Sequence, residues 1–342
     1  MKIIYVGPLV PGGTCLQRLR AFQHLGHEVL PVDTCPPEVS VRERRLWERA
    51  RRRFQGPRDL ARANRAILEL AREEQPQVLW VDKGLTIRPE TLEAARSFAP
   101  GLRRVSYSPD DMLNPRNHSR CYLAAIPRYD LHVTTKSYNV AELKTLGAPG
   151  VLFVDNAYCP FTHRPMEVSA ADRQRLGEVV GFIGTYERDR AEDLLFLARQ
   201  GIPVKVWGNW PKRWQQRHPN LRVMGESLWD DDYARAICSF AINLAFLRKE
   251  NRDLQTTRSM EIPACGGFML GERTREHQRL FKEGEEAEFF DSLEELLEKI
   301  HYYLAHEDQR QNIAIAGRGR CLEAGYSNLE RLKGILQQAY SD

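Results

Sequence analysis

One alternation governs this chain: a short apolar segment, then an amphipathic one, repeated through two successive runs along 342 residues. In the first run Lys2–Val6, Glu28–Val32, Gln77–Val81, Arg103–Tyr107, Leu131–Thr134 and Val151–Val154 read as strands. Between them Thr14–Leu25, Leu60–Glu74, Pro89–Phe98, Ser119–Ile126 and Tyr138–Leu146 have helical spacing. Leu16, Leu19, Phe22 and Leu25 mark the apolar face of the first helix, and Gly26 closes it. The second run restarts at Glu178–Ile183 and continues with strands at Pro203–Trp207, Leu221–Met224, Ser239–Phe246 and Phe268–Leu270. Its helices are expected at Arg190–Gln200, Asp230–Cys238, Thr257–Cys265, Leu293–Leu304, Gln309–Leu322 and Ser327–Tyr340. Strands separated by helices must cross over, and right-handed crossovers make a parallel sheet. No short period repeats inside either run. The expectation is therefore α/β, with two parallel-sheet domains.

A chain of this length exceeds one ordinary core, which agrees with two domains. The aperiodic, proline-bearing segment Asp155-Asn-Ala-Tyr-Cys-Pro-Phe-Thr-His-Arg-Pro165 reads as their connection. Residues 1–160 and 166–325 are then the two domains, and residues 326–342 a terminal helix. With 42% hydrophobic and 28% charged residues the composition is that of a soluble globular protein. No apolar run approaches the roughly 20 residues that span a bilayer. The opening Met1-Lys-Ile-Ile-Tyr-Val-Gly reads as a strand rather than a signal peptide. Seven cysteines without a Cys-x-x-Cys pair argue against a zinc site and a disulfide framework, so a reducing cytoplasm is expected. A net charge of +4 does not call for a nucleic-acid partner. Arg42–Arg65 is different, with ten arginines against Glu43, Glu48 and Asp59. Leu46, Trp47, Ala50 and Phe54 fall near one face of a helix there. That segment is either a solvated surface helix or a weak contact for an anionic surface, including a membrane periphery.

Open parallel sheets bind ligands outside the carboxyl ends of their strands. After the first strand comes Gly7-Pro-Leu-Val-Pro-Gly-Gly-Thr14, where Gly12 and Gly13 let a diphosphate or sugar approach the backbone. In the second domain Gly184, Thr185, Tyr186 and Arg188 occupy the corresponding loop. Trp207, Gly208 and Asn209 end the next strand, where Trp207 either shapes a nucleoside pocket or serves the core. The most informative stretch after a strand is Asp253-Leu-Gln-Thr-Thr-Arg-Ser-Met-Glu-Ile-Pro-Ala-Cys-Gly-Gly267, polar at its start and ended by two glycines. It opens a short helix whose N-terminus, with Thr257, Arg258 and Ser259, suits a phosphate. Glu261, one turn later, suits sugar hydroxyls. The first domain offers Asp82 and Lys83, then Asp110 and Asp111 with His118, and Lys136, all at or after strand ends. Carboxylates there can accept a hydroxyl proton or form turns. Asp230-Asp-Asp232 precedes a helix and reads as a cap rather than a metal site.

Asp253 and Glu261 are separated by seven residues, a spacing that resembles the acidic pair of GT-B retaining glycosyltransferases, with Asp in place of the usual first Glu. Arg258-Ser-Met-Glu-Ile-Pro-Ala-Cys-Gly-Gly267 is similar, more narrowly, to the CgeB-type spore-maturation glycosyltransferases, as is Ile126-Pro-Arg-Tyr-Asp-Leu-His-Val-Thr-Thr-Lys136. The resemblance implies two Rossmann-like domains with a cleft between them and a last helix returning to the first domain. It implies a UDP-, GDP- or dTDP-sugar donor held by Gly12, Gly13, Gly184, Thr185, Tyr186, Arg188, Trp207, Gly208, Asn209, Asp253, Thr257, Arg258, Ser259 and Glu261. On the acceptor side it implies Asp82, Lys83 and Lys136, with Asp111, Asp110 and His118 as catalytic candidates and Asp111 ranked above Asp110. No permanently bound cofactor and no metal is expected, because arginines and a helix N-terminus neutralise the diphosphate. The acceptor, whether polysaccharide, protein, small molecule or nucleic acid, stays open, as do the oligomeric state and the fate of the anomeric configuration. Two alternatives remain: a sugar-nucleotide epimerase or hydrolase on the same fold, and a non-enzymatic protein that binds anionic surfaces.

Overall fold

A computed structural model describes residues 1–43, 47, 48, 51 and 55–341. The chain divides into two compact units, Met1–Asp155 with the chain from Asn328 onward, and Asn156–Ser327. The first contains β1 (Lys2–Gly7), α1 (Thr14–His24), β2 (Glu28–Asp33), α2 (Pro37–Glu43), α3 (Ala63–Glu74), β3 (Val78–Asp82), α4 (Pro89–Phe98), β4 (Arg103–Ser108), α5 (Arg120–Ala125), β5 (Leu131–Thr134), α6 (Asn139–Thr145) and β6 (Val151–Phe153). Its strands form one parallel sheet in the order β2-β1-β3-β4-β5-β6. Helices cover both faces, so the central strands are buried throughout rather than alternately. Ile3, Tyr5, Phe22, Trp80 and Tyr107 fill one face; Ile4, Val6, Ile67, Leu79 and Leu92 fill the other.

The second unit repeats the plan with α7 (Ala170–Leu176), β7 (Glu178–Ile183), α8 (Arg188–Arg199), β8 (Val204–Trp207), β9 (Leu221–Val223), α9 (Asp230–Ser239), β10 (Phe240–Ala245), α10 (Arg258–Ala264), β11 (Met269–Glu272), α11 (Arg275–Leu280), β12 (Glu288–Phe290), α12 (Leu293–Ala305) and α13 (Glu307–Glu323). The sheet is again parallel, in the order β12-β11-β10-β7-β8-β9. A side chain at Gly267, just past α10, would meet Ile237 at 2.7 Å, so glycine is needed where that helix turns into β11.

The last helix, α14 (Asn328–Ser341), belongs to the first unit. Leu332, Ile335, Leu336 and Ala339 enter the core shared with α1 and Trp80. The units part at Asp155–Asn156, at the very start of the proline-bearing stretch that reads as a connection. Residues from Asn156 are already tied into the second unit, because the Asn156 N–H donates to Gln255 Oε1 and the Tyr158 N–H to the Tyr326 carbonyl. Four of these elements have no counterpart in the periodicity: α2, α7, α11 and β12. Of the arginine-rich segment, Leu46, Ala50 and Phe54 lie outside the described residues. Trp47 is exposed, Glu48 is buried and paired with Arg51 at 3.0 Å, and Arg65 pairs with Glu69 at 2.7 Å. No helix among the described residues is long and apolar enough to cross a membrane.

Candidate functional site

In the first unit the strand ends carry two kinds of carboxylate. Asp82, at the end of β3, is sealed in the core. Arg18 on α1 holds it through two bonds of 2.9 Å, and the Tyr5 hydroxyl donates to it as well. The Arg18 guanidinium lies 4.6 Å from the Tyr107 ring centroid. Asp82 supports the first loop from beneath, where a side chain on Gly7 would meet its Cβ at 3.0 Å. Gly12 has φ 73° and Gly13 would bring a Cβ within 2.9 Å of the Val10 carbonyl, so this loop depends on its glycines.

Lys83 and Asp110 are the accessible pair at this edge, joined at 2.5 Å. Burial works against the Lys83 charge, but the Asp110 carboxylate outweighs it and raises the lysine pKa. Asp111 is only 1% exposed. Its Oδ1 accepts from the Leu113 N–H at 3.1 Å and from Asn139 Nδ2 at 3.0 Å. Asp111 is thus committed to a buried turn, and Asp110 is the half-buried member of the two. His118 is half-buried, with Nδ1 at 3.0 Å from the Met112 carbonyl. Lys136 is buried after β5, its N–H donating to Thr134 Oγ1.

The second unit gathers its candidates more tightly. The loops after β7 and β8 touch: a Cβ on Gly208 (φ 143°) would stand 2.1 Å from the Gly184 carbonyl. Trp210 Nε1 donates to that same carbonyl at 2.8 Å, and the Tyr186 ring packs against Trp210 and Trp214 at 5.4 and 5.9 Å. Trp207 takes the core role: its Nε1 donates to the Leu176 carbonyl, and it is buried among Leu176, Ala236 and Phe240. The aromatic group beside the loop is instead Tyr186, Trp210 and Trp214, which the strand-end rule overlooks because two of them lie beyond the strand. Thr185 and Asn209 are exposed beside it.

Arg258, the first residue of α10, donates from Nη2 to the Phe246 carbonyl at 3.0 Å and lies 5.5 Å from the Phe182 ring centroid. Arg190 lies 5.4 Å from the same ring. It donates to the carbonyls of Leu247 at 2.8 Å and Thr185 at 3.3 Å. Both buried Nε groups lack a protein partner. Burial and then the neighbouring Arg258 charge push the Arg190 guanidinium down to about 10, which still leaves it cationic at neutral pH. Arg190 shares the Glu187 carboxylate with Arg248. Arg188, the residue expected to contact phosphate, is exposed at the start of α8. Arg190 was detectable in principle, since it falls on the apolar face with Ala191, Leu194 and Leu197.

Ser259 is not available to a ligand. Its hydroxyl accepts from the Thr256 N–H at 3.1 Å and meets His277 Nε2 at 2.7 Å, while His277 Nδ1 faces the Glu272 carbonyl at 2.6 Å. Burial pushes His277 down to about 4, so the imidazole is neutral and Ser259 donates to it. This pair braces the turn before α10, beside which Asp253 accepts from Asn251 Nδ2 at 2.7 Å. Thr257 precedes the helix without a side-chain cap bond. Glu261 is 5% exposed and accepts from the Tyr233 hydroxyl. Asp231 and Asp232 do not cap α9: Asp231 pairs with Arg164 at 2.9 Å and Asp232 with Arg175 at 2.8 Å. Among the described residues no cluster of three or more His, Cys, Asp or Glu side chains is placed to hold a metal ion.

Residues 189–337, less than half of the chain, match the model of a glycosyl transferase-like family. Three solved structures are similar over essentially the whole length of both chains. HepE of Anabaena, in complex with UDP and glucose, shares 13% identity, with 100% of each chain covered and a TM-score of 0.69. Sucrose-phosphate synthase of Thermosynechococcus elongatus shares 12%, covering 100% of this chain and 99% of its own, with a TM-score of 0.67. A glycosyltransferase of Rickettsia africae shares 10%, covering 99% and 98%, with a TM-score of 0.65. The fold is GT-B. The residues that match the family model lie mostly in the second unit and extend into α14. No curated protein matches the sequence.

Proposed function

We propose that this protein is a GT-B glycosyltransferase that moves a sugar from a nucleotide diphosphate sugar to a hydroxyl acceptor without a divalent metal. The observation that carries the reading is the Arg190–Arg258 pair on the Phe182 ring, a buried and a half-buried guanidinium whose buried Nε groups lack protein partners. Buried cations need an anion, and a diphosphate supplies charge and acceptors for both. The fold and the family match over residues 189–337 support the same donor class. HepE, of the same fold, is in complex with UDP-glucose in another solved structure.

In this reading the Gly184–Gly208 contact shapes the phosphate loop, and Tyr186, Trp210 and Trp214 stand beside it. Arg188, Thr257, Asn209 and Asp253 belong to the rim of the donor site, and Glu261 binds the ribose diol. Transfer forms a bond from the acceptor oxygen to the anomeric carbon while the carbon–diphosphate bond breaks. The arginines stabilise the departing charge. Asp110, tuned by Lys83, accepts the acceptor proton, with His118 and Lys136 nearby in the first unit. The resemblance of the Arg258-Ser-Met-Glu-Ile-Pro stretch supports a reading beside the CgeB-type enzymes.

Thermal stabilisation by a panel of UDP-, GDP- and dTDP-sugars tests the donor class, because a ligand at a hundred times its dissociation constant adds about 2.7 kcal/mol. No shift with any donor would refute the reading. The UDP-N-acetylglucosamine 2-epimerase-like structure from Listeria monocytogenes has the same fold at a TM-score of 0.58, so the assay includes donor alone. Donor consumption without acceptor favours epimerisation or hydrolysis. Activity lost on chelation and restored by magnesium or manganese contradicts metal independence.

A further inference from the structure

Glu261 is surrounded in a way its proposed role does not by itself require. Its Oε2 accepts from the Tyr233 hydroxyl at 2.5 Å, and its Oε1 stands 3.8 Å from His163 Nε2. The tautomer of His163 is fixed by its other nitrogen: Nδ1 accepts from the Cys159 N–H at 3.0 Å, so the proton sits on Nε2, the atom that faces Glu261. The His163 and Tyr233 rings lie 5.3 Å apart, so the two donors approach the carboxylate from neighbouring positions.

Both donors are neutral. Burial lowers the His163 pKa despite the opposing charges of Glu261 and Asp230. Burial, followed by the Glu261 charge, raises that of Tyr233. The Tyr233 hydrogen bond therefore fixes Oε2, while the Nε2–H edge of His163 faces Oε1 from 3.8 Å, beyond hydrogen-bond length. A carboxylate fixed in this way keeps an unused lone pair on each oxygen, the arrangement that accepts from two adjacent hydroxyls.

We infer that Tyr233 and His163 are positioning residues that aim Glu261 at a vicinal diol, and that the donor is consequently a ribonucleotide rather than a 2′-deoxyribonucleotide. The inference rests on the reading of Glu261 as the ribose-binding carboxylate. It narrows that reading by excluding dTDP-sugars. Tyr233 also explains the use of the Asp230-Asp-Asp-Tyr233 turn: Asp231 and Asp232 hold the start of α9 through Arg164, Arg175 and Arg235, and Tyr233 projects from that anchored turn to Glu261.

The test is calorimetric titration of the full chain and its Tyr233→Phe, His163→Ala, His163→Gln and Glu261→Gln variants with UDP, GDP and their 2′-deoxy counterparts. The wild type should prefer a ribonucleotide by about tenfold or more, the effect of one hydrogen bond to a charged group. Tyr233→Phe should lose about tenfold in affinity for the ribonucleotide while nearly keeping that for the deoxy form. His163→Ala should behave likewise, and His163→Gln, which retains an N–H donor, should recover part of the preference. A purely structural role would weaken both nucleotides equally, and that result, or no change in Tyr233→Phe and His163→Ala, overturns the positioning role. If Glu261→Gln keeps the wild-type preference, the ribose assignment itself fails. If no nucleotide binds, both readings fall.

Discussion

Asp110 and Asp111 are adjacent in sequence, yet their surroundings assign them different work. Asp111→Ala would take the acceptor from the Leu113 N–H and one of the two from Asn139 Nδ2, which keeps Glu142, a penalty of about 1–3 kcal/mol for a buried donor left unpaired. A thermal melt should show that loss. Asp110→Ala should leave the melt nearly unchanged and cut glycosyl transfer by roughly 10²–10⁴ in a steady-state assay. The opposite pattern would return the catalytic role to Asp111. Gly208→Ala should also destabilise the fold, by about 1–3 kcal/mol for backbone strain alone, because φ is 143° and the new methyl would strike the Gly184 carbonyl. The sequence showed that Asp82, Asp110, Asp111, Arg258 and Glu261 lie at strand ends. It could not show which are already satisfied: Arg18 is 64 residues from its partner Asp82, and His277 is 18 residues from Ser259.

Among the elements, the long periodic ones were legible and the short polar ones were not. Pro89–Phe98 and Glu178–Ile183 match their expected bounds because their apolar residues repeat cleanly and turn residues flank them. β12 carries Glu288 in the middle of the unit, and that carboxylate is tolerated only because Lys299 Nζ and the Tyr303 hydroxyl reach it at 2.6 Å. α7 buries Leu176 alone, too little to leave a period. The Arg273 network around β11 predicts an acid sensitivity. Hydrogen bonds from Arg273 hold Glu295 down to about 2, and those from Arg273 and then Lys299 lower Glu283 as well. A depressed carboxylate stabilises the fold above its unfolded pKa, and that contribution is lost as pH falls through the folded value. Stability should therefore decline between about pH 4.5 and 2, and Arg273→Ala should flatten that part of the profile in chemical denaturation. An unchanged slope would mean the network is solvent-screened and contributes little.

At the scale of the whole molecule, the return of α14 makes the first unit discontinuous in sequence. Leu332 is buried in the core with α1, so Leu332→Ala should cost about 2–5 kcal/mol, measured by denaturant unfolding. Ending the chain at Ser327 should expose the Trp80 side of the first sheet and unfold that unit; a truncated protein with an unchanged melt would contradict this. Two parallel sheets were readable from alternation alone, since parallel strands require helical crossovers. The boundary at Asp155–Asn156 was not, because it is set by long-range bonds such as that from the Asn156 N–H to Gln255. The central claim is that Arg190 and Arg258 of the second unit hold a nucleotide diphosphate. It is tested most directly by calorimetric titration of wild type and Arg258→Ala with UDP-glucose and GDP-mannose in the presence of a chelator. The account predicts binding of one donor by the wild type, weakened roughly 10- to 100-fold in the folded variant. Equal affinity in both proteins, or no binding to the wild type until a divalent metal is restored, would contradict it.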